Sequence, residues 1–237
     1  MFVSHPDHQW MEKSGAITIK ANKMAILKNG IFGGFTGKVG NMVGYEAGGK
    51  FLVKSAPKKS TLPPTEKQIN HRAKFKLMIG FLTIIRDFIS VGFNTAKREH
   101  TAMNMAMRHN LKNAVTGLGP DFAIDYPLLM ISMGNLPIAS FPTAEYTGDS
   151  QLQFSWVNDQ SNQHCSWLDE LNIMVYNEAK NEFLIWKGEA RRKDQICKLK
   201  LPEDFIGDEL HCYFYFINEN GMTSNSMYAG LVQLKNI

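Results

Sequence analysis

The chain has 237 residues, 44% hydrophobic and 20% charged, with a formal net charge of +4. That is ordinary globular composition, long enough for one large core or two modest ones, and it excludes a low-complexity, disordered chain as the default. Its three cysteines, Cys165, Cys197 and Cys212, are an odd number in a chain that needs no covalent staples, so reduced thiols in a reducing compartment are expected.

The net charge hides an asymmetry. Residues 1–120 carry 18 Lys and Arg against 6 Asp and Glu, a net +12, whereas residues 121–237 carry 8 against 16, a net −8. Two halves of such different composition suggest two domains, and a basic half suits nucleic acid or an acidic partner surface.

In chain order, residues 1–23 are polar and mixed and read as a loose extension. They hold no continuous apolar core of the kind a signal peptide needs, and no later run is long and uncharged enough to span a bilayer, so a cytoplasmic location is expected. Met24 opens a more compact run and is an alternative start. Gly30, Gly33, Gly34, Gly37 and Gly40 then punctuate NGIFGGFTGKVG, a glycine density that rules out an ordinary helix. Among them Ile31, Phe32, Phe35, Val39 and Met42 are apolar residues without a local core, with Lys38 between. Such an arm needs a cover, supplied by the long helix after Thr65, the sandwich or a second copy of the chain, and self-association or a protein partner is expected.

The next stretch, GYEAGGKF, places Gly44, Gly49 and Lys50 in the spacing of a phosphate-binding loop. That loop requires a buried strand before it and a helix with Ser or Thr after its Lys, so that amides wrap the phosphate and the hydroxyl holds magnesium. Here Phe51 takes the hydroxyl's place and a β-branched run follows. Gly48-Gly49 is instead expected to turn a hairpin between residues 39–46 and 50–56, with no nucleotide bound.

Pro57, Pro63 and Pro64 mark a connector. Thr65-Glu66-Lys67-Gln68 is a capping box, and Ile69, Phe75, Met78, Ile79, Leu82, Ile85 and Ile89 recur at helical spacing, which predicts one long amphipathic helix to about residue 91. Gln68 and Arg72 in its first turns are candidates for holding an anion at the positive helix end. A second helix is expected over residues 101–116, stopped by Gly117.

Gly37-Lys38-Val39-Gly40-Asn41, the hairpin ending in Ser55-Ala56-Pro57, and the series Thr65, Gln68, Arg72, Phe75 together resemble an uncharacterised family of bacterial proteins, mostly from Bacteroidota, classed as a domain of unknown function. The resemblance covers about residues 24–237 and implies no activity, cofactor or catalytic residue. The Thr65–Phe75 series is also similar to small phage and prophage proteins, although Lys54-Ser55-Ala56-Pro57 lacks the arginine of their preceding turn.

Beyond a linking stretch at residues 126–133, short β-type runs follow one another over residues 138–146, 151–157, 171–176, 182–186, 195–201, 210–217 and 226–234. Leu152, Phe154 and Trp156 alternate onto one face, as do Ile173 and Val175. Seven strands so spaced predict a β-sandwich of immunoglobulin or fibronectin type III size that folds alone. Trp156 and the Leu201-Pro202 turn resemble fibronectin type III domains, without their tyrosine-corner spacing.

His211-Cys212 and His164-Cys165 offer zinc-ligand chemistry, but neighbours on a strand point to opposite faces, and His5 and His8 lie in the extension. No metal, cofactor or catalytic set is expected. The sequence therefore predicts an α+β protein: an extension (1–23), a basic glycine-rich hairpin and helical domain (24–134), and a sandwich (135–237). Its expected role is that of a non-catalytic structural or adaptor protein in a larger assembly, not an enzyme, and the alternative is nucleic-acid binding by the basic half. The candidate interaction surface is Ile31, Phe32, Phe35, Lys38, Val39, Met42, Lys50, Gln68 and Arg72.

Overall fold

The computed structural model describes residues 26–27, 34–58, 61–94, 100–158 and 166–234. The expected extension, Ile31 and Phe32 of the arm, and His164 and Cys165 lie outside those residues. The chain divides into two compact units, Met1–Thr61 and Leu62–Ile237. The protein is mixed α+β with a sandwich-like body.

The first unit is an antiparallel sheet of strands β1 (Ile26–Leu27), β2 (Phe35–Val39), β3 (Met42–Ala47) and β4 (Lys50–Ser55), in that order. Gly48 and Gly49 turn β3 into β4 with φ of 59° and 74°, the left-handed pair that lets a two-residue turn follow the twist of its strands. Gly44 lies within β3 and Lys50 opens β4, so the three residues of the apparent phosphate loop belong to a hairpin.

The second unit opens with α1 (Glu66–Ile84), capped as expected: the Thr65 hydroxyl accepts from the Gln68 amide, and the Thr65 amide donates to Gln68 Oε1 at 3.1 Å. The expected single helix is broken at Ile85, after which α2 runs over Arg86–Gly92. The Thr83 hydroxyl bonds back to the Ile79 carbonyl at 2.6 Å in a β-branched Thr83-Ile84-Ile85 run, and both features weaken a helix. Helix α3 (Ala102–Asn113) also ends earlier than expected. Val115 and Thr116 enter β5 (Val115–Leu118), which pairs with β6 (Asp121–Ile124) in a hairpin, and Gly117 lies inside it rather than acting as a helix stop. The expected linking strand after residue 126 is a short 3₁₀ turn, Tyr126–Leu128, followed by irregular chain.

The remaining strands are β7 (Ser140–Gly148), β8 (Gln151–Val157), β9 (Glu170–Asn177), β10 (Glu182–Arg191), β11 (Ile196–Lys200), β12 (Glu209–Ile217) and β13 (Met227–Gln233). They form two antiparallel sheets, β10-β9-β12-β13 and β11-β8-β7. Leu152, Phe154 and Trp156 of β8 meet Leu171, Ile173 and Val175 of β9 and Leu210, Cys212, Phe214 and Phe216 of β12 in the core between the sheets. A buried pair braces the end of this core. Arg192 Nε lies 3.0 Å from Asp169 Oδ2 with both side chains 1% exposed, and its guanidinium donates to Pro137 O while stacking 3.9 Å from the Phe216 ring.

Strands β9 and β12 are buried on both faces. Their outward residues Met174, Tyr176, Tyr213 and Tyr215 pack against Met78, Phe81, Leu82, Ile85, Phe88 and Ile89 of the helices, in a second core. The molecule's second unit is thus three layers, helices on sheet on sheet. The expected domain over residues 24–134 differs from this division at Thr61, because the apolar face of the helices is closed by the sheet and shares its core.

Candidate functional site

The sequence-derived surface residues fall into two groups. Phe35, Lys38, Val39, Met42 and Lys50 all lie on the β1–β4 sheet, whereas Gln68 and Arg72 lie on α1 in the other unit. The Gln68 side chain caps the helix, its Oε1 accepting from the Thr65 amide at 3.1 Å, and Arg72 is exposed on the helix.

Strand register makes the β1–β4 sheet amphipathic. Val39 pairs with Met42, Gly44 with Gly37 and Val53, and Glu46 with Phe51, so Val39, Met42, Phe51 and Val53 share one face, with Glu46 at its end. On that face the Phe35 ring covers Gly44, where an added Cβ would meet its Cδ2 at 2.6 Å, and the Phe51 ring likewise covers Gly34. The opposite face carries Lys38, Val43, Tyr45, Lys50, Leu52 and Lys54, with Lys54 Nζ 5.0 Å from the Tyr45 ring centre. Its apolar residues are half-exposed: Val39 is 48% exposed, Met42 51%, Phe51 41% and Val53 55%.

A second feature lies in the helical layer. A cleft of about 490 Å³ opens between α1, β6 and the β9–β10 turn. Leu77, Gly80, Phe81 and Ile84 line it from the helix, Phe122 and Ile124 from β6, and Tyr126, Tyr176, Glu178 and Asn181 from beyond them. Phe81 meets Tyr176 edge-on at 5.0 Å, and Tyr126 lies 5.6 Å from Tyr176. The Tyr176 hydroxyl donates to Asn181 Oδ1 at 3.2 Å, and the Tyr126 hydroxyl faces Tyr176 and Glu178. Behind them His211 stacks on Tyr126 at 3.9 Å, shares a 2.9 Å hydrogen bond with the Tyr228 hydroxyl, and places Nε2 3.7 Å from Glu178 Oε2.

Burial sets the proton affinities here. It raises the Tyr126 phenol well above the usual tyrosine range, with Tyr176 and Glu178 adding to the shift. It lowers His211 below the ordinary imidazole value, with Glu178 opposing. Cys212, next along β12, sits in the core between the sheets, where burial pushes its thiol up. His211 and Cys212 therefore face different layers, as alternation along a strand requires. Among the described residues no group of three or more His, Cys, Asp or Glu could hold a metal ion, and no helix is long and apolar enough to cross a membrane.

Sequence reasoning missed the cleft because its walls come from residues 77–84, 122–126 and 176–181, which only the fold assembles. One local signal was present: Gly80 interrupts a helical pattern where nothing in the sequence calls for a turn.

The model of one family, described as "Family of unknown function (DUF6266)", matches residues 34–230. No curated protein matches the chain. Among solved structures, the twitchin kinase region from C. elegans (Fn31-NL-kin-CRD-Ig26) is similar at 12% identity and a TM-score of 0.32, over 41% of this chain and 16% of that one. The chain thus spans a small part of that structure, and a likeness so slight does not type the sandwich.

Proposed function

We propose that this chain, which belongs to the family of unknown function DUF6266, is a non-catalytic structural or adaptor protein that joins a larger assembly through the apolar face of its β1–β4 sheet. The observation that carries this reading is a sheet whose Val39, Met42, Phe51 and Val53 share one half-exposed face. Among its own unit's described residues the sheet has one layer, which excludes water poorly without a cover, and an exposed apolar patch is the usual mark of an interface. The cover in this reading is the same face of a second copy, because identical apolar faces stack as two sheets do in a sandwich. The second unit serves as the rigid head of a cytoplasmic protein. We further read its sandwich as fibronectin type III-like. The support is the strand order, with the first, second and fifth strands in one sheet and the fourth, third, sixth and seventh in the other, and Trp156 packed on Phe214 and Phe216.

Light scattering tests the proposal. Val53 is exposed within the chain, so Val53→Asp leaves the isolated fold intact but places a charge inside the proposed interface, where an unpaired charge is not tolerated. The wild type is expected to be an oligomer and Val53→Asp a folded monomer, with Phe35→Asp acting in the same direction. A wild-type monomer whose size and melting do not respond to either change would overturn the reading. The sheet's other face favours a second reading, nucleic-acid binding, since Lys38, Lys50 and Lys54 lie beside Tyr45 there. Its signature is salt-dependent binding of single-stranded oligonucleotide that Lys50→Glu with Lys54→Glu abolishes.

A further inference from the structure

We propose that the cleft between α1, β6 and the β9–β10 turn is a binding site for a small organic cation of the alkylammonium class. The inference goes beyond the association role and stands on separate residues, in the second unit.

The first ground is charge. Among the described residues Glu178 is the one charged residue lining the cleft, with its side chain 61% exposed. The second is the walls. Phe122 and Tyr126 are half-buried and bring ring surface to the cleft beside the aliphatic Leu77, Ile84 and Ile124, while Phe81 and Tyr176 are buried at its edge, and an ammonium group weakly hydrated by its alkyl substituents suits such walls best. Phe122 is already met by a cation of the chain itself, Lys74 Nζ at 4.7 Å from its ring centre, so a ligand at that ring competes with Lys74 and the pull on the cation falls to Glu178 and Tyr126. The size of the cleft, about 490 Å³, lies within the range of small-ligand pockets.

The third ground is Gly80. It lies in the interior of a 19-residue helix, where glycine is a poor choice because it leaves the backbone unrestrained. No packing demands it: a Cβ built there meets nothing within 4 Å. Since Gly80 lines the cleft, its missing side chain keeps the opening clear, which is a reason for glycine that the fold alone does not supply.

The test uses the full chain and calorimetry, with choline as the probe and dimethylbutanol, its neutral carbon-for-nitrogen isostere, as the control. Choline is expected to bind and the isostere to bind about fivefold or more weakly, because only the cation gains from the ring faces and from Glu178. Glu178→Gln, at an exposed position that keeps the fold, is expected to weaken choline about fivefold. Gly80→Leu fills the open space and is expected to abolish binding, with an unchanged or higher melting temperature showing that the helix is intact. The proposal is overturned if choline gives no heat at saturating concentration, if choline and its isostere bind equally, or if both variants bind as the wild type does. A lysine-containing peptide that binds more tightly than choline and competes with it would overturn the small-molecule assignment in favour of a protein side chain.

Discussion

His211 shows how one residue links the layers of the second unit. It stacks on Tyr126, bonds the Tyr228 hydroxyl and lies beside Glu178, all on the helix-facing side of β12. Its pKa is lowered from the ordinary 6.5, first by burial, with Glu178 opposing, so the folded state favours the neutral ring. An imidazole whose folded pKa is depressed is protonated more readily in the unfolded chain. Its contribution is therefore fully present above about pH 6.5 and is lost as pH falls toward the folded value. His109 is lowered too, by burial and then by Lys112, and adds a slope of the same sign. Denaturant melts between about pH 7.5 and about pH 5 are expected to show stability falling as pH falls, by about 1.4 kcal/mol for each unit separating the two pKa values. His211→Gln is expected to flatten part of that slope and leave the His109 part. An unchanged slope in the variant would mean that His211 protonates equally well in both states.

At the scale of elements, both ends of α1 and the start of α3 have a specific chemical cause. The capping box starts α1, the Thr83 back-bond and its β-branched neighbours end it, and the Thr101 hydroxyl caps α3 by accepting from the Asn104 amide at 3.2 Å. Asn110, fully buried in α3, holds the irregular chain beyond the 3₁₀ turn by donating to Met130 O and accepting from Met130 N, each at 2.8 Å. Gln68 decides between two readings of α1. As a cap it satisfies the Thr65 amide, and as part of an interaction surface it would touch a partner. Gln68→Ala is expected to lower stability by about 0.5–1 kcal/mol in a thermal melt, the loss of one reciprocal cap, without changing the oligomeric state. A change in light scattering with no change in melting would restore it to the interface.

At the scale of the whole molecule, the helices and the sandwich are one cooperative problem. Tyr213 and Tyr215 are fully buried beneath the helices, and Tyr213 donates to the Tyr126 carbonyl at 2.9 Å. Removing the helical layer uncovers these rings with Met174 and Tyr176 on one sheet face, a patch no soluble monomer leaves bare. A chain of residues 62–237 is therefore expected to melt cooperatively as a monomer, whereas residues 135–237 alone are expected to bind a hydrophobic dye or aggregate, contrary to the reading of the sandwich as independent. A shorter chain that melts sharply without dye binding would show that the inter-sheet core suffices.

The sequence by itself determined what depends on neighbours along the chain. The alternation of Leu152, Phe154 and Trp156 located β8, the capping box set the first turn of α1, and the glycine pair set the β3–β4 turn, because each signal acts over a few residues. Local signals also misled: helical spacing carried the first helix through Ile85, and Gly117 looked like a helix stop when it lies in a hairpin. Only the tertiary structure decided what closes the second face of β9 and β12, since their unbroken apolar runs have two sides and the sequence does not say what lies on each. It decided the amphipathic sheet as well, because pairing register, set between strands, brings Val39, Met42, Phe51 and Val53 to one face and the lysines to the other. The cleft is its most distant product, with Gly80, Phe122 and Glu178 joined only by folding: side-chain period is a property of a segment, and a pocket is a property of segments that meet.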